Sequence, residues 1–207
     1  MNEIDFICDL ALKFSAVNRT GVELHTGEPE SDTDHTVMLG WIACSFAAKH
    51  YPDLDQGLIA QFALVHDAPE IYAGDVQSLG MDAETAKNKA KAESDAIGRL
   101  QSELDQYTWL TDTLVLYEKQ ELPEARYVRA IDKVLPKIVA YINDYKWHIQ
   151  NWTWQEIEKA LKTQLLQVQN YAGEFKELIN LYIRTAFRVI KDVHRKQLIK
   201  DGVIIPL

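Results

Sequence analysis

The sequence predicts an all-α fold, a single helical domain spanning residues 1–207. Three observations carry that expectation. Apolar residues recur at spacings of three and four through nearly every segment, the period of one buried helical face. With 47% apolar and 26% charged residues, the chain is long enough for one sizeable core and short for two full domains. No internal repeat or linker-like stretch divides it.

The elements follow in order. Residues 3–17 place Ile4, Leu10, Ala11, Phe14 and Val17 in helical register. Residues 18–34 hold two Gly, one Pro and a cluster of Ser, Thr, Asp and Glu, so they read as a loop. Asp32, Thr33 and Asp34 are capping types, and a helix is expected from there to about His50. Tyr51-Pro52-Asp53 breaks it, and a second apolar helix covers about 55–70, closed by Ala73-Gly74-Asp75. Residues 83–106 form a long helix in which Lys87, Lys89 and Lys91 read as a solvated face. A short helix over 112–121 follows, then one over 124–145 led by Pro123, in which Pro136 predicts a kink or a break. Helices over 153–170 and 172–200 complete the chain, and the apolar tail DGVIIPL is expected to pack down.

Composition excludes several function classes. The chain is too apolar for disorder, and no apolar run approaches the ~18–20 residues of a membrane span. The N-terminus MNEIDFICDL is acidic where an export signal carries positive charge, so a cytoplasmic location is expected. Cys8 and Cys44 make no disulfide framework, which fits a reducing compartment. The net charge of −9 argues against a protein that coats nucleic acid, but one local positive site or a metal can still hold a small anion.

The residues that bear chemistry begin with His66-Asp67, near the end of the apolar stretch QFALVHDAPE. Neighbours on a helix splay by about 100° but can converge on one ion beyond the helix end. The plainer reading is an aspartate that only orients an imidazole. His35 opens the preceding helix, and the short connection between the two makes them antiparallel neighbours, so His35 and His66-Asp67 should meet at one end of the hairpin. A polar histidine in a capping turn is the alternative. Asp132 follows Ile131 on a strongly apolar helix and reads equally as a ligand or as a solvated carboxylate. Glu70 stands four residues after His66, expected on the same helical face.

The order His35, His66-Asp67, Asp132 resembles the HD-domain metal-dependent phosphohydrolase superfamily over residues 33–80 and 126–142. His66-Asp67-Ala68-Pro69-Glu70 followed by Gly74-Asp75 is similar to its bacterial 5′-deoxynucleotidase branch, and Asn18-Arg19 resembles that branch's phosphate-contacting arginine. The string from Ser31 to Leu39 looks like that of a group of bacterial and phage HD hydrolases.

The resemblance implies a helical metal-site core over about 31–145, followed by the C-terminal helices over 153–200. It implies one divalent transition metal (Mn, Co, Fe, Ni or Zn, with Mg a weaker candidate) held by His35, His66, Asp67 and Asp132. Glu70 becomes the general base or water-orienting group, and Asp75 the sugar-side carboxylate. Arg19, Lys133 and Lys137 become phosphate contacts, with His25 a further one. In the nucleotidase branch a tryptophan that crowds the sugar 2′ position follows the arginine; here Thr20 does.

The expected activity is release of phosphate from (deoxy)nucleoside 5′-monophosphates. The alternatives are a deoxynucleoside triphosphate triphosphohydrolase releasing tripolyphosphate, and a non-catalytic nucleotide-binding HD protein. No membrane partner is expected. The aromatic stretch Trp147, Trp152 and Trp154 is expected in the core or at a homodimer contact.

Overall fold

A computed structural model describes residues 3–144 and 151–203. It is mostly helical, of the all-α class, with one small two-stranded sheet. By its contacts the chain divides into two compact units: Met1–Thr20 with Pro29–Arg129, and Gly21–Glu28 with Ala130–Leu207.

The first unit opens with helix α1 (Glu3–Ser15), which buries Leu10 but leaves Ile4 exposed. The segment expected as a loop is instead strand β1 (Asn18–Glu23) paired with strand β2 (Pro29–Ser31). The composition hid this because the strands are short and polar, and turn-forming residues dominate the window. Ser31 then caps helix α2 (Asp32–His50): its hydroxyl accepts from the Asp34 N–H while the Asp34 carboxylate accepts from the Ser31 N–H, a capping box.

Helix α3 (Gln56–Val65) packs along α2, and a Cβ added at Gly40 would lie 4.0 Å from that of Ala63. This helix ends at Val65, earlier than expected. Pro69 has no N–H to give the Val65 carbonyl and its ring clashes there, so residues 66–69 run as turns with i→i+3 bonds. Helix α4 (Glu70–Ala73) is a new helix, so Glu70 does not share one with His66. Gly74, at φ 71°, turns the chain out of it in a conformation only glycine adopts freely.

Helix α5 (Ala83–Glu103), helix α6 (Thr108–Glu118) and the first turns of helix α7 (Pro123–Ile142) complete the first unit. One core cluster joins Leu10, Val65, Ala68, Leu100, Leu104 and Leu114, and Leu39, Ala43, Phe62 and Tyr127 are also fully buried in this unit. The Tyr127 hydroxyl donates to the Ala43 carbonyl at 2.9 Å.

Helix α7 runs through Pro136 without a break, because a single missing bond to the Asp132 carbonyl is tolerated in a helix this apolar. Its later turns belong to the second unit, with helix α8 (Trp154–Ala172) and helix α9 (Lys176–Lys200). α8 and α9 pack together through Ile157, Leu161, Leu178 and Tyr182. Val203 is exposed, contrary to the expectation for the tail, whose last four residues lie outside those described, as does Trp147. Trp154 stacks on His194 with ring centroids 4.6 Å apart, and Cys8 and Cys44 are free thiols.

Candidate metal centre

Antiparallel packing of α2 on α3 brings His35 and His66 together: their rings lie 5.4 Å apart. Both are buried, and both are fixed by the nitrogen that faces away. His66 Nδ1 donates to the Ala63 carbonyl at 2.9 Å, and His35 Nδ1 lies 3.0 Å from Glu30 Oε1. A carbonyl can only accept, so His66 Nδ1 carries a proton, and Nε2 is the nitrogen turned toward Asp67. The Nε2 atoms lie 3.9 Å (His35) and 3.0 Å (His66) from Asp67 Oδ2.

Arg19 enters from β1. Its Nη1 donates to Asp67 Oδ2 at 2.7 Å and lies 3.5 Å from Asp32, while its Nε lies 3.4 Å from Glu30. The guanidinium is therefore surrounded by carboxylates. Burial works to raise the Asp67 carboxyl, but His66, Arg19 and His35 together hold it well below the usual carboxylate range. Glu70 behaves oppositely: burial, then the Asp67 charge, pushes it up to about 10, against the pull of Lys89. Burial and Asp67 raise Asp32 to about 6, while Arg19 and the Glu70 carboxyl work the other way.

Asp75 binds protein rather than standing open. Its carboxylate accepts the Thr20 N–H and its carbonyl accepts the Thr20 hydroxyl at 3.3 Å, so the strand that carries Arg19 is pinned to the loop after α4. Lys89 was expected on a solvated face. It is instead half-buried, with Nζ 3.4 Å from Glu70 Oε1 and 3.0 Å from the Val76 carbonyl.

In the second unit, Asp132 is buried and its Oδ2 accepts from Lys133 Nζ at 2.7 Å. Lys137 is not presented to solvent. It is 1% exposed, with Nζ donating to the Lys133 carbonyl at 2.5 Å and Gln164 Oε1 at 2.6 Å, above the Tyr182 ring. Burial, then the neighbouring Lys133 charge, lowers it to about 7. His25 is exposed, in the turn between the strands.

Three residues of the site escaped the sequence. Glu30 lay in a segment read as loop, Asp32 read as a helix-capping type, and Lys89 read as one of a run of surface cations. None carries a periodic signal; only the path of β2 and the angle of α5 bring them to the histidines.

Two imidazoles with fixed outer nitrogens and adjacent carboxylate oxygens are the donor set of a divalent transition metal. The residues present therefore fit the ion expected from the sequence. Asp32, Asp67 and Glu70 add a group of carboxylate oxygens within 4.8 Å of one another. The arrangement is that of a metal-dependent phosphohydrolase.

Comparison with known proteins agrees. The crystal structure of a protein described as a predicted metal-dependent phosphohydrolase from Magnetospirillum magnetotacticum MS-1 superposes with a TM-score of 0.62 at 21% identity, covering 89% of this chain and 93% of that one. A conserved hypothetical protein from Pyrococcus furiosus gives 0.57 at 25% identity, covering 93% and 99%. The first likeness is one of fold alone. No curated protein matches significantly. A family model described as the HD domain matches residues 11–172, most of the chain and all of the histidine and carboxylate positions above. With that match and the pairing of His35 with His66-Asp67, the chain belongs to the HD-domain superfamily of metal-dependent phosphohydrolases.

Proposed function

We propose that this protein releases inorganic phosphate from (deoxy)nucleoside 5′-monophosphates. His35, His66 and Asp67, with Asp132 as the fourth ligand, would hold one divalent transition metal. When bound, such an ion lowers the pKa of its water and polarises a phosphoryl oxygen. Support for Asp132 is its burial beside Lys133 and the family resemblance of its position.

The other roles belong to the chain's own residues. Glu70 takes the proton from the attacking water. Its burial leaves it strongly basic, and positive charge entering the cluster brings its pKa down into a working range. Arg19 grips the phosphate, and its tie through Thr20 to Asp75 keeps the guanidinium at the site. Asp75 still borders an open depression of about 360 Å³ lined also by Thr20, Gln77 and Met81, of a size for a nucleoside. Lys133 remains a phosphate contact; Lys137 is left out because Gln164 and a carbonyl already hold its ammonium.

The observation that carries a monophosphate over a triphosphate is the scarcity of cations. Around the histidine pair the first unit supplies Arg19 and Lys89, both already facing carboxylates. Even with Lys133, cations so engaged suit a dianion better than a triphosphate with about four charges. The test is a panel of nucleoside mono-, di- and triphosphates on metal-loaded protein, with products separated. Phosphate and nucleoside from monophosphates is the expected result. Tripolyphosphate from deoxynucleoside triphosphates, with monophosphates untouched, replaces this reading with the triphosphohydrolase one.

A further inference from the structure

Helices α2 and α3 are uncharged between their ends. Residues 36–48 and 56–65 contain no Asp, Glu, Lys, Arg or His, in a chain that is 26% charged. A helix that is apolar all round is normally enclosed. Here one side of each helix packs inward, through Leu39, Ala43, Ile59 and Phe62, and the other side is left open. Trp41 is 76% exposed, Val37 47% and Leu64 54%. Trp109 of α6 continues this face: it is 51% exposed, and its indole N–H donates at 3.3 Å to Gln61 Oε1, one turn from Leu64. The four side chains expose on the order of 400–500 Å², about half of the ~800 Å² that each copy covers in a standard dimer.

The open side of α2 also has a register. Val37, Trp41, Cys44 and Ala48 recur at steps of four, three and four, the a and d positions of a heptad, which is the seam on which one helix seats another. Exposed charges of opposite sign bound the seam: Asp34 stands three residues before Val37, and Lys49 directly after Ala48. The midpoint of Asp34 and Lys49 falls between Trp41 and Ile42. A second α2 laid antiparallel about a two-fold axis at that point sets each Asp34 opposite the Lys49 of the other copy. It also brings the two Trp41 rings together and opposes the helix dipoles. A two-fold contact has to be complementary to itself, and this helix meets that condition. A lipid surface or a nucleic acid calls for a row of Lys and Arg, and the face has only Lys49 at its rim.

We propose that the open face of α2, continued by Leu64 and Trp109, is an interface at which the protein pairs with a second copy of itself, α2 against antiparallel α2. The contact uses α2 rather than the aromatic stretch at 147–154.

Sedimentation equilibrium of the whole chain tests this. The unaltered protein is expected at the mass of two chains. Trp41→Glu puts a charge at the centre of the contact and should raise the dimer dissociation constant at least ~100-fold, with the circular dichroism spectrum unchanged because the side chain is exposed. Lys49→Glu should raise it about 3–10-fold in low salt and hardly at all in high salt, as a rim charge does. A monomeric unaltered chain overturns the proposal and leaves the face to a different partner. So does a dimer that Trp41→Glu leaves intact, which places the self-contact elsewhere. A Lys49→Glu effect absent in low salt overturns the antiparallel register. If Trp41→Glu fails to fold, Val37→Lys, on the same seam, takes its place.

Discussion

Glu30 Oε1 lies 3.0 Å from His35 Nδ1, and this pair ties the two-stranded sheet to the helix that carries the first histidine. A buried carboxylate on the outer nitrogen fixes the ring and makes the inner nitrogen a better ligand. Glu30→Gln keeps the shape and removes the charge. It should weaken metal binding by about 10–100-fold while the circular dichroism spectrum stays unchanged. Unaltered affinity in a chelator competition would show that Glu30 only fills space.

Glu70→Gln should separate chemistry from metal binding at the histidines. Turnover should fall by about 10²–10⁴-fold, the usual contribution of a general base. A transition metal at His35 and His66 should remain, as measured by elemental analysis. Near-full turnover would remove Glu70 from the mechanism.

Ser31 caps α2 one turn before His35, and its hydroxyl accepts the Asp34 N–H at 3.1 Å. Ser31→Ala should cost about 1 kcal/mol in urea denaturation, within the ~0.5–2 kcal/mol of N-cap losses. Because the cap sets where α2 begins, metal affinity should drop as well. A stability change near zero would mean that the Asp34 carboxylate does the capping alone.

Lys137 makes stability depend on pH. Its folded pKa is depressed to about 7 from 10.5, mainly by burial. Between those values the unfolded chain binds more protons than the folded one, so this group's contribution improves as pH rises from about 7 toward 10.5. Below pH 7 the burial penalty is present in full. Lys137→Met should therefore be more stable than the unaltered protein at pH 6, by on the order of a few kcal/mol, and the advantage should shrink by pH 9. Denaturation of both proteins at the two pH values checks this; a pH-independent difference would place the proton elsewhere.

The sequence by itself determined the helical class, most helix positions and the meeting of His35 with His66. Those rest on local chemistry: the period of apolar residues, Pro and Gly breaks, and a connection so short that α2 and α3 must be neighbours. It could not supply the strands at 18–31, since short polar strands have no periodic signature and exist only through their pairing. Pro69 was in view, yet its effect of ending α3 at Val65 emerged only with the backbone path. The fate of charges was likewise tertiary. Lys89, Lys137 and Asp32 have the side chains of surface residues, and each is buried to the degree that neighbours distant in sequence enclose it. Burial and charge compensation are properties of a residue's surroundings, and in this protein helix packing and the path of β2, rather than any local pattern, assembled the carboxylates around Arg19.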